Sequence, residues 1–136
     1  MKRIILAGGS GFLGQALAQR FCERGNEVIV LTRHPRGRSD GGRELPWDGK
    51  TLGEWAKRVD GADAVINLTG RSVDCRYTAA NRRVIIASRV DSTRVLGAAI
   101  ARCVLPPRVW LNASSATLYQ HTFTTPMDEA GEIGAT

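Results

Sequence analysis

A glycine cluster directly after a short apolar run is the feature that most constrains how this chain folds. Residues 4–7 have the pattern of a buried parallel strand, and residues 12–22 have the pattern of an amphipathic helix. The intervening sequence, Gly-Gly-Ser-Gly, is too short for anything but a tight turn. A strand that passes into a helix through glycines is typical of the first unit of a dinucleotide-binding domain.

The glycines of this turn have separate predicted roles. The spacing Gly9-x-Gly11-x-x-Gly14 fits the G-x-G-x-x-G fingerprint. Gly8 and Gly9 permit a tight turn. Gly11 lets the backbone approach a pyrophosphate, and Gly14 lets the helix pack close to the strand. The helix N-terminus adds unpaired N–H groups and a positive dipole for the phosphates. A flexible turn without a ligand is the alternative, which the position between strand and helix disfavours.

Strand and helix patterns alternate along the rest of the chain. Further strands are predicted at residues 27–32, 44–47, 64–68 and 108–113, and helices at 52–59 and 78–103. The alternation predicts an α/β protein with a doubly wound, Rossmann-like parallel sheet. We expect five strands in the order 3-2-1-4-5 and a three-layer αβα arrangement. The length of 136 residues suits one domain, so residues 1–136 are predicted to form a single NAD(P)-binding Rossmann domain.

The charge of the chain bears on its partners. A net charge of +6 would suit a nucleic-acid-binding protein. The arginines, however, are scattered over predicted helices and loops, and no basic run alternates with aromatic residues. We therefore expect a solvated basic surface and no nucleic-acid partner, and we keep a basic nucleic-acid-interaction protein as a further alternative.

The chain has three cysteines and no long apolar stretch. Without C-x-x-C spacing, the cysteines indicate neither a disulfide framework nor a metal site. We expect a cytoplasmic location or a reducing organelle interior. No apolar run is long enough to span a membrane, so no membrane partner is expected.

The end of the second predicted strand bears on the choice between NAD and NADP. In NAD-binding domains an acidic residue at this place binds the ribose hydroxyls, whereas this chain has Thr32-Arg33-His34. An arginine can pair with the 2′-phosphate of NADP, which a carboxylate would repel. Arg33 therefore favours NADP (NADPH) over NAD, with an exposed loop arginine as the alternative. Arg36 and Arg38 either extend the phosphate pocket or are loop charges.

The fourth predicted strand ends at Leu68-Thr69-Gly70. Ligands of open α/β sheets bind at the carboxyl ends of the strands. Small residues there would let the ribose and nicotinamide half of the cofactor lie across the sheet. The alternative is a strand-end turn in which Gly70 has a positive φ, and the two interpretations are compatible.

Five segments together resemble the atypical extended short-chain dehydrogenases of the NAD-dependent epimerase/dehydratase family. They are residues 8–14, which also have G-x-x-G-x-x-G spacing, and residues 31–33, 47–48, 63–70 and 88–94. The resemblance implies a Rossmann-fold protein that binds NADP through Gly8, Gly9, Ser10, Gly11, Phe12, Leu13, Gly14, Thr32, Arg33, Leu68, Thr69, Gly70 and Arg89. For Arg89 a plain solvated position is an equal alternative. The long helix 78–103 is implied to offer a homodimer surface.

The chain departs from the family pattern in two ways. Family members are longer, so the chain is expected to correspond to their N-terminal part, without the C-terminal substrate region. Members also commonly use a Ser or Thr with a Tyr-x-x-x-Lys pair, whose lysine lowers the tyrosine pKa. Ser114 and Tyr119 lie at that place, but the lysine position is Phe123. Ser114 and Tyr119 are the candidate catalytic residues, with backbone capping and an interface aromatic as the alternatives.

Three functions remain open at this point. The first is the NADP-binding domain of an oxidoreductase or epimerase that acts on an unknown small carbonyl or sugar-like molecule. The second is an NADP-binding module without catalysis, a sensor or scaffold, which the missing lysine supports. The third is the basic nucleic-acid-interaction protein.

Overall fold

Five β-strands and two α-helices alternate along the chain in the computed structural model, which describes residues 1–134. The strands are β1 (Arg3–Ala7), β2 (Glu27–Thr32), β3 (Arg43–Pro46), β4 (Ala64–Asn67) and β5 (Val109–Asn112). The helices are α1 (Phe12–Glu23) and α2 (Ala79–Ala101), with short 3₁₀ helices at Glu54–Arg58 and Ala116–Leu118.

All five strands are parallel and form one sheet in the order β3-β2-β1-β4-β5. β1 is central, with Leu6 paired to Val30 of β2 on one side and to Ile66 of β4 on the other. Parallel neighbours need a crossover, which α1 supplies between β1 and β2. The predicted strand order is confirmed. β2 and β3 are added on one side of β1, and β4 and β5 on the other, so the strand order reverses between β1 and β4. Ligands of such sheets bind at this reversal point.

Apolar residues on both faces of the sheet are covered by helices. On one face, Leu6 and Ala18 of α1 belong to the same buried cluster. On the other face, Ile5 packs in a cluster with Leu96 of α2. Successive residues of a strand point to opposite faces, so β1 and β2, buried on both, have continuous apolar sequences. The arrangement is the predicted three-layer αβα sandwich.

Local capping explains where the helices begin and end. The side chain of Thr78 accepts a hydrogen bond from the N–H of Asn81 at 3.1 Å and starts α2. Gly25 follows α1 with φ 76°, and its N–H donates to the carbonyl of Cys22 in a Schellman motif. Among the described residues, no helix combines the length and apolar character needed to cross a membrane.

The region after β3 differs from its prediction. The strand ends at Pro46, one residue before the predicted end, and the predicted helix 52–59 is the shorter 3₁₀ helix Glu54–Arg58. The ring of Trp47 packs edge-on against that of Trp55, with centroids 5.4 Å apart. This contact joins the residue after β3 to the 3₁₀ helix, and strand periodicity does not reveal it.

The β5 edge is the most exposed part of the sheet. All four of its residues are exposed, and Leu111 retains 54% of its accessible surface. After β5, an antiparallel bridge between Tyr119 and Ile133 joins two parts of the C-terminal segment. The N–H of Gln120 donates to the carbonyl of Glu132 at 2.8 Å beside it. This segment is therefore organised mainly by its own backbone contacts.

We predict that Leu96→Ala lowers the free energy of unfolding by about 2–4 kcal/mol, because it leaves a cavity between α2 and the sheet. The matched control is Val104→Ala, just beyond the end of the same helix, where the side chain is 85% exposed. That change should stay within about 0.5 kcal/mol. Denaturant titration of the two variants measures both, and equal losses would contradict the placement of α2.

Candidate functional site

A cleft of about 1120 Å³ lies at the carboxyl edge of the sheet. Its walls come from the turn after β1, the loop after β2, the turn at residues 47–50, the end of β4 and the first half of α2. These segments meet because parallel strands end at the same edge. The cleft is thus at the position where open α/β sheets bind ligands.

Close backbone contacts define the turn after β1. Gly8 has φ 70°, and a Cβ there would lie 2.8 Å from the Cα of Thr69, which follows β4. A Cβ on Gly14 would lie 2.3 Å from the Cα of Gly9. Both distances exclude a side chain. The close approach that Gly14 permits is therefore between α1 and the turn itself.

The N-terminus of α1 has room for a ligand. Gly11 is its N-cap residue, with no side-chain cap within residues 1–134 and no acidic residue in the first turn. A Cβ on Gly11 would meet only the carbonyl oxygen of Gly8, at 3.9 Å. Gly11 also lines the cleft. Unpaired N–H groups and the helix dipole at such a position favour a phosphate.

Thr69 places an unsatisfied hydroxyl beside this turn. Its Oγ1 is buried and has no hydrogen-bond partner among the described residues. Its N–H donates to Oδ1 of Asn67 at 3.1 Å, and Nδ2 of Asn67 donates to Oγ of Ser92 at 3.3 Å. α2 thereby holds the end of β4 in place. A buried hydroxyl without a partner is costly, and a polar group of a ligand in the cleft would satisfy it. The turn and Thr69 together fit a dinucleotide.

Arginines occupy the cleft wall after β2, in two different states. Arg33 is exposed in the wall, directly after the buried Thr32. Arg38 instead has a side chain that is only 9% exposed, and its Nε donates to Oδ1 of Asp40 at 3.0 Å. The Arg38 guanidinium holds the pKa of Asp40 below its usual value. The guanidinium of Arg38 is occupied by its ion pair with Asp40, whereas that of Arg33 is available to a ligand.

Gly70 and Arg89 pack against each other. The φ of Gly70 is outside the left-handed region, so the positive φ considered for it is wrong. Its lack of a side chain has another reason, since a Cβ there would lie 2.9 Å from Cζ of Arg89. Nη1 of Arg89 donates to the carbonyls of Arg71 and Ile85, at 3.2 and 3.1 Å. Arg89 therefore ties the segment after β4 to α2.

The predicted cofactor residues divide into two groups. Those that line the cleft are Gly8, Ser10, Gly11, Thr32, Arg33, Leu68, Thr69 and Gly70. Those outside its lining are Gly9, Phe12, Leu13, Gly14 and Arg89. Gly9 and Gly14 shape the turn, and the Phe12 side chain is 90% exposed at the start of α1. The assignment of these residues to a cofactor stays a prediction.

The two candidate catalytic residues lie apart from this group. Neither Ser114 nor Tyr119 is among the described residues that line the cleft. Tyr119 forms the bridge to Ile133. His121, two residues further on, packs edge-on against Phe123 with centroids 4.7 Å apart. A catalytic role for Ser114 and Tyr119 also stays a prediction.

The turn at residues 47–50 is part of the cleft wall that sequence analysis did not assign to the site. Asp48 accepts hydrogen bonds from the N–H of Lys50 and from both the hydroxyl and the N–H of Thr51. The Thr51 hydroxyl and these amides lower the pKa of Asp48 to about 2. The sequence signal that could have revealed this turn is the pair Asp48-Gly49, because Asp-Gly pairs favour turns and Gly49 has φ 72°.

The sheet order, the glycine turn and the cleft define a Rossmann-type nucleotide-binding fold. A model of the NAD dependent epimerase/dehydratase family matches residues 4–135. The chain belongs to this family, and the resemblance inferred from its motifs is confirmed.

Three similar proteins illustrate the range of relatives. The epimerase family protein SDR39U1 of Bos taurus is 32% identical over 130 residues, which are 93% of this chain and 41% of the relative. The crystal structure of human epimerase family protein SDR39U1 (isoform 2) with NADPH has a TM-score of 0.79 and 30% identity, covering 96% of this chain and 42% of that one. MoeE5 in complex with UDP-glucuronic acid and NAD has a TM-score of 0.79 at 20% identity, with the same coverage, and shares the fold. The chain spans less than half the length of each.

We predict that acid weakens the Asp48 turn in a defined pH window. The folded pKa is lowered from 3.8 to about 2. The contribution to stability is therefore complete above pH 3.8 and is lost as the pH falls toward about 2. Asp48→Asn should flatten the dependence of the thermal midpoint on pH between about 2 and 5. Asp74→Asn, in another exposed loop, is the control. A wild-type slope in Asp48→Asn would contradict the turn's hydrogen bonding.

Proposed function

We propose that residues 1–136 are the NADP-binding domain of a short-chain-type oxidoreductase or epimerase whose substrate is a small carbonyl or sugar-like molecule. The observation that carries the proposal is the glycine turn, which brings the open N-terminus of α1 and the unpartnered Thr69 hydroxyl to one cleft. Membership of the NAD dependent epimerase/dehydratase family supports the reaction class.

The cleft residues would hold the cofactor by different means. The backbone at Gly8 and Gly11 and the first N–H groups of α1 would bind the pyrophosphate. The hydroxyl of Thr69 would gain the hydrogen bond that it lacks within residues 1–134. Arg33 would pair with the 2′-phosphate. When bound, the cofactor supplies hydride transfer, while the protein fixes its position and excludes water.

The preference for NADP over NAD rests on the end of β2. Thr32 is buried, and the next residue, Arg33, is exposed in the cleft wall. No carboxylate follows β2 at the place where one would bind the ribose of NAD. Among the similar structures, human SDR39U1 holds NADPH and MoeE5 holds NAD. The assignment of NADP as the preferred cofactor therefore depends on Arg33.

The second candidate function is NADP binding without catalysis. It is favoured by Phe123, which stands where a Tyr-x-x-x-Lys pair would have lysine, and by the position of Ser114 and Tyr119 outside the cleft lining. An assay of NADPH oxidation with a panel of small carbonyl compounds separates the two. Turnover supports the enzyme, and tight NADPH binding without turnover by the full-length protein supports a sensor or scaffold.

Partner and location complete the proposal. We propose a homodimer through α2, because two apolar side chains on one face of the helix, Ile86 and Val90, are 61% and 45% exposed. Cys22, Cys75 and Cys103 are free thiols, which suits the cytoplasm or a reducing organelle interior.

We predict that the wild-type chain binds NADPH at least about tenfold more tightly than NADH in calorimetric titration, because charge-assisted hydrogen bonds contribute about 1.5–3 kcal/mol. Arg33→Ala should remove most of this difference by weakening NADPH binding and leaving NADH binding unchanged. Arg108→Ala, an exposed arginine beside β5, is the matched control. Equal affinities for the two nucleotides in the wild type would refute the NADP assignment.

A further inference from the structure

The loop between β2 and β3, residues 33–42, forms the cleft wall that carries the exposed Arg33 and Arg36. It contains Gly37 and Gly41, both with positive φ, at 83° and 87°. Glycines make a loop costly to order, since they have more conformations to lose than other residues. Specific contacts must therefore hold this loop in one arrangement.

Glu44 supplies one such contact. Its Oε2 accepts hydrogen bonds from the N–H of Arg36 at 2.7 Å and from the N–H of Gly37 at 2.8 Å. Glu44 itself lies in β3, paired in register with Val30 of β2. The carboxylate thus ties the middle of the loop to the sheet. Both amides donate to the same carboxylate oxygen.

Asp40 supplies a second contact further along the loop. It pairs with Arg38 and also accepts the N–H of Gly42 at 3.0 Å. The positive charge of Arg38 is thereby balanced by the carboxylate of Asp40 within the loop. Arg36, by contrast, is held by its backbone and keeps an exposed side chain. Of the arginines at positions 33, 36 and 38, the first and second remain available to an anion.

We propose that Glu44 is a positioning residue for recognition of the NADP 2′-phosphate. By holding the amides of Arg36 and Gly37, it keeps the loop in the arrangement in which Arg33 and Arg36 reach that phosphate. The inference rests on the proposed function. A carboxylate close to a phosphate site would by its charge alone weaken binding. Here its hydrogen bonds to two amides give it the opposite net effect.

Three substitutions of Glu44 separate position from charge. Glu44→Ala removes both hydrogen bonds. Glu44→Asp keeps the charge on a shorter side chain that falls short of the amides. Glu44→Gln removes the charge but keeps one carbonyl oxygen, which is enough because both amides donate to a single oxygen. Glu54→Ala, at an exposed carboxylate paired with Lys57, is the matched control.

Calorimetric titration of NADPH and NADH into each variant tests the proposal. We expect Ala and Asp to weaken NADPH binding about tenfold and NADH binding less than about twofold, because a smaller fraction of molecules has the loop in place. Gln should stay within about threefold of the wild type. If Glu44 acts only through its charge, Ala and Gln both strengthen NADPH binding and Asp resembles the wild type, which overturns the proposal.

Trypsin cleavage after Arg36, in the absence of nucleotide, provides an independent measurement on the same proteins. Faster cleavage in Ala and Asp, but not in Gln or the Glu54→Ala control, supports the contact between Glu44 and the loop. Unchanged cleavage, or faster cleavage with an unchanged NADPH to NADH ratio, overturns the positioning role. If the wild-type chain shows no preference for NADPH over NADH, the proposed function is overturned instead. The cleavage rates still test the contact between Glu44 and the loop in that case.

Discussion

Backbone segments meet at the carboxyl end of β1 without side chains between them, and the cleft depends on this contact. Gly14 allows α1 to reach the Cα of Gly9, and Gly8 allows the turn to reach the backbone at Thr69. A methyl group at Gly8 or Gly14 would collide with backbone, which cannot move aside as a side chain can. The direction of α1, the opening at its N-terminus and the position of Thr69 all follow from this backbone contact.

Charged and polar side chains around the cleft mostly hold backbone segments in place. Arg89 donates to the carbonyl of Arg71, Asn67 orders the N–H of Thr69, and Glu44 holds two amides of the loop after β2. Arg33, in the same wall, is exposed. The cofactor site that we propose here would gain affinity from preorganisation, since the loops are ordered before the ligand arrives.

Much of the fold was predictable because its signals are local. β1 and β2 are buried on both faces and have continuous apolar sequences, and the glycine spacing marks the turn between β1 and α1. The rest depends on contacts between distant residues. The edge-on packing of Trp47 against Trp55 and the hydrogen bonds from the loop to Glu44 have no period or fingerprint in the sequence. For the same reason, the predicted helix at residues 52–59 is a 3₁₀ helix.

Gly11→Ala tests our proposal that the turn after β1 binds the phosphates of a dinucleotide. Gly11 has extended backbone, with φ −79° and ψ −177°, and a Cβ there would meet only the carbonyl oxygen of Gly8, at the ordinary contact distance of 3.9 Å. We expect a thermal midpoint within about 2 °C of the wild type. We also expect NADPH binding to be at least about tenfold weaker, because the methyl group takes the place of the pyrophosphate. Gly53→Ala, at another extended glycine, should leave binding unchanged. Wild-type NADPH affinity in a folded Gly11→Ala protein would contradict the account.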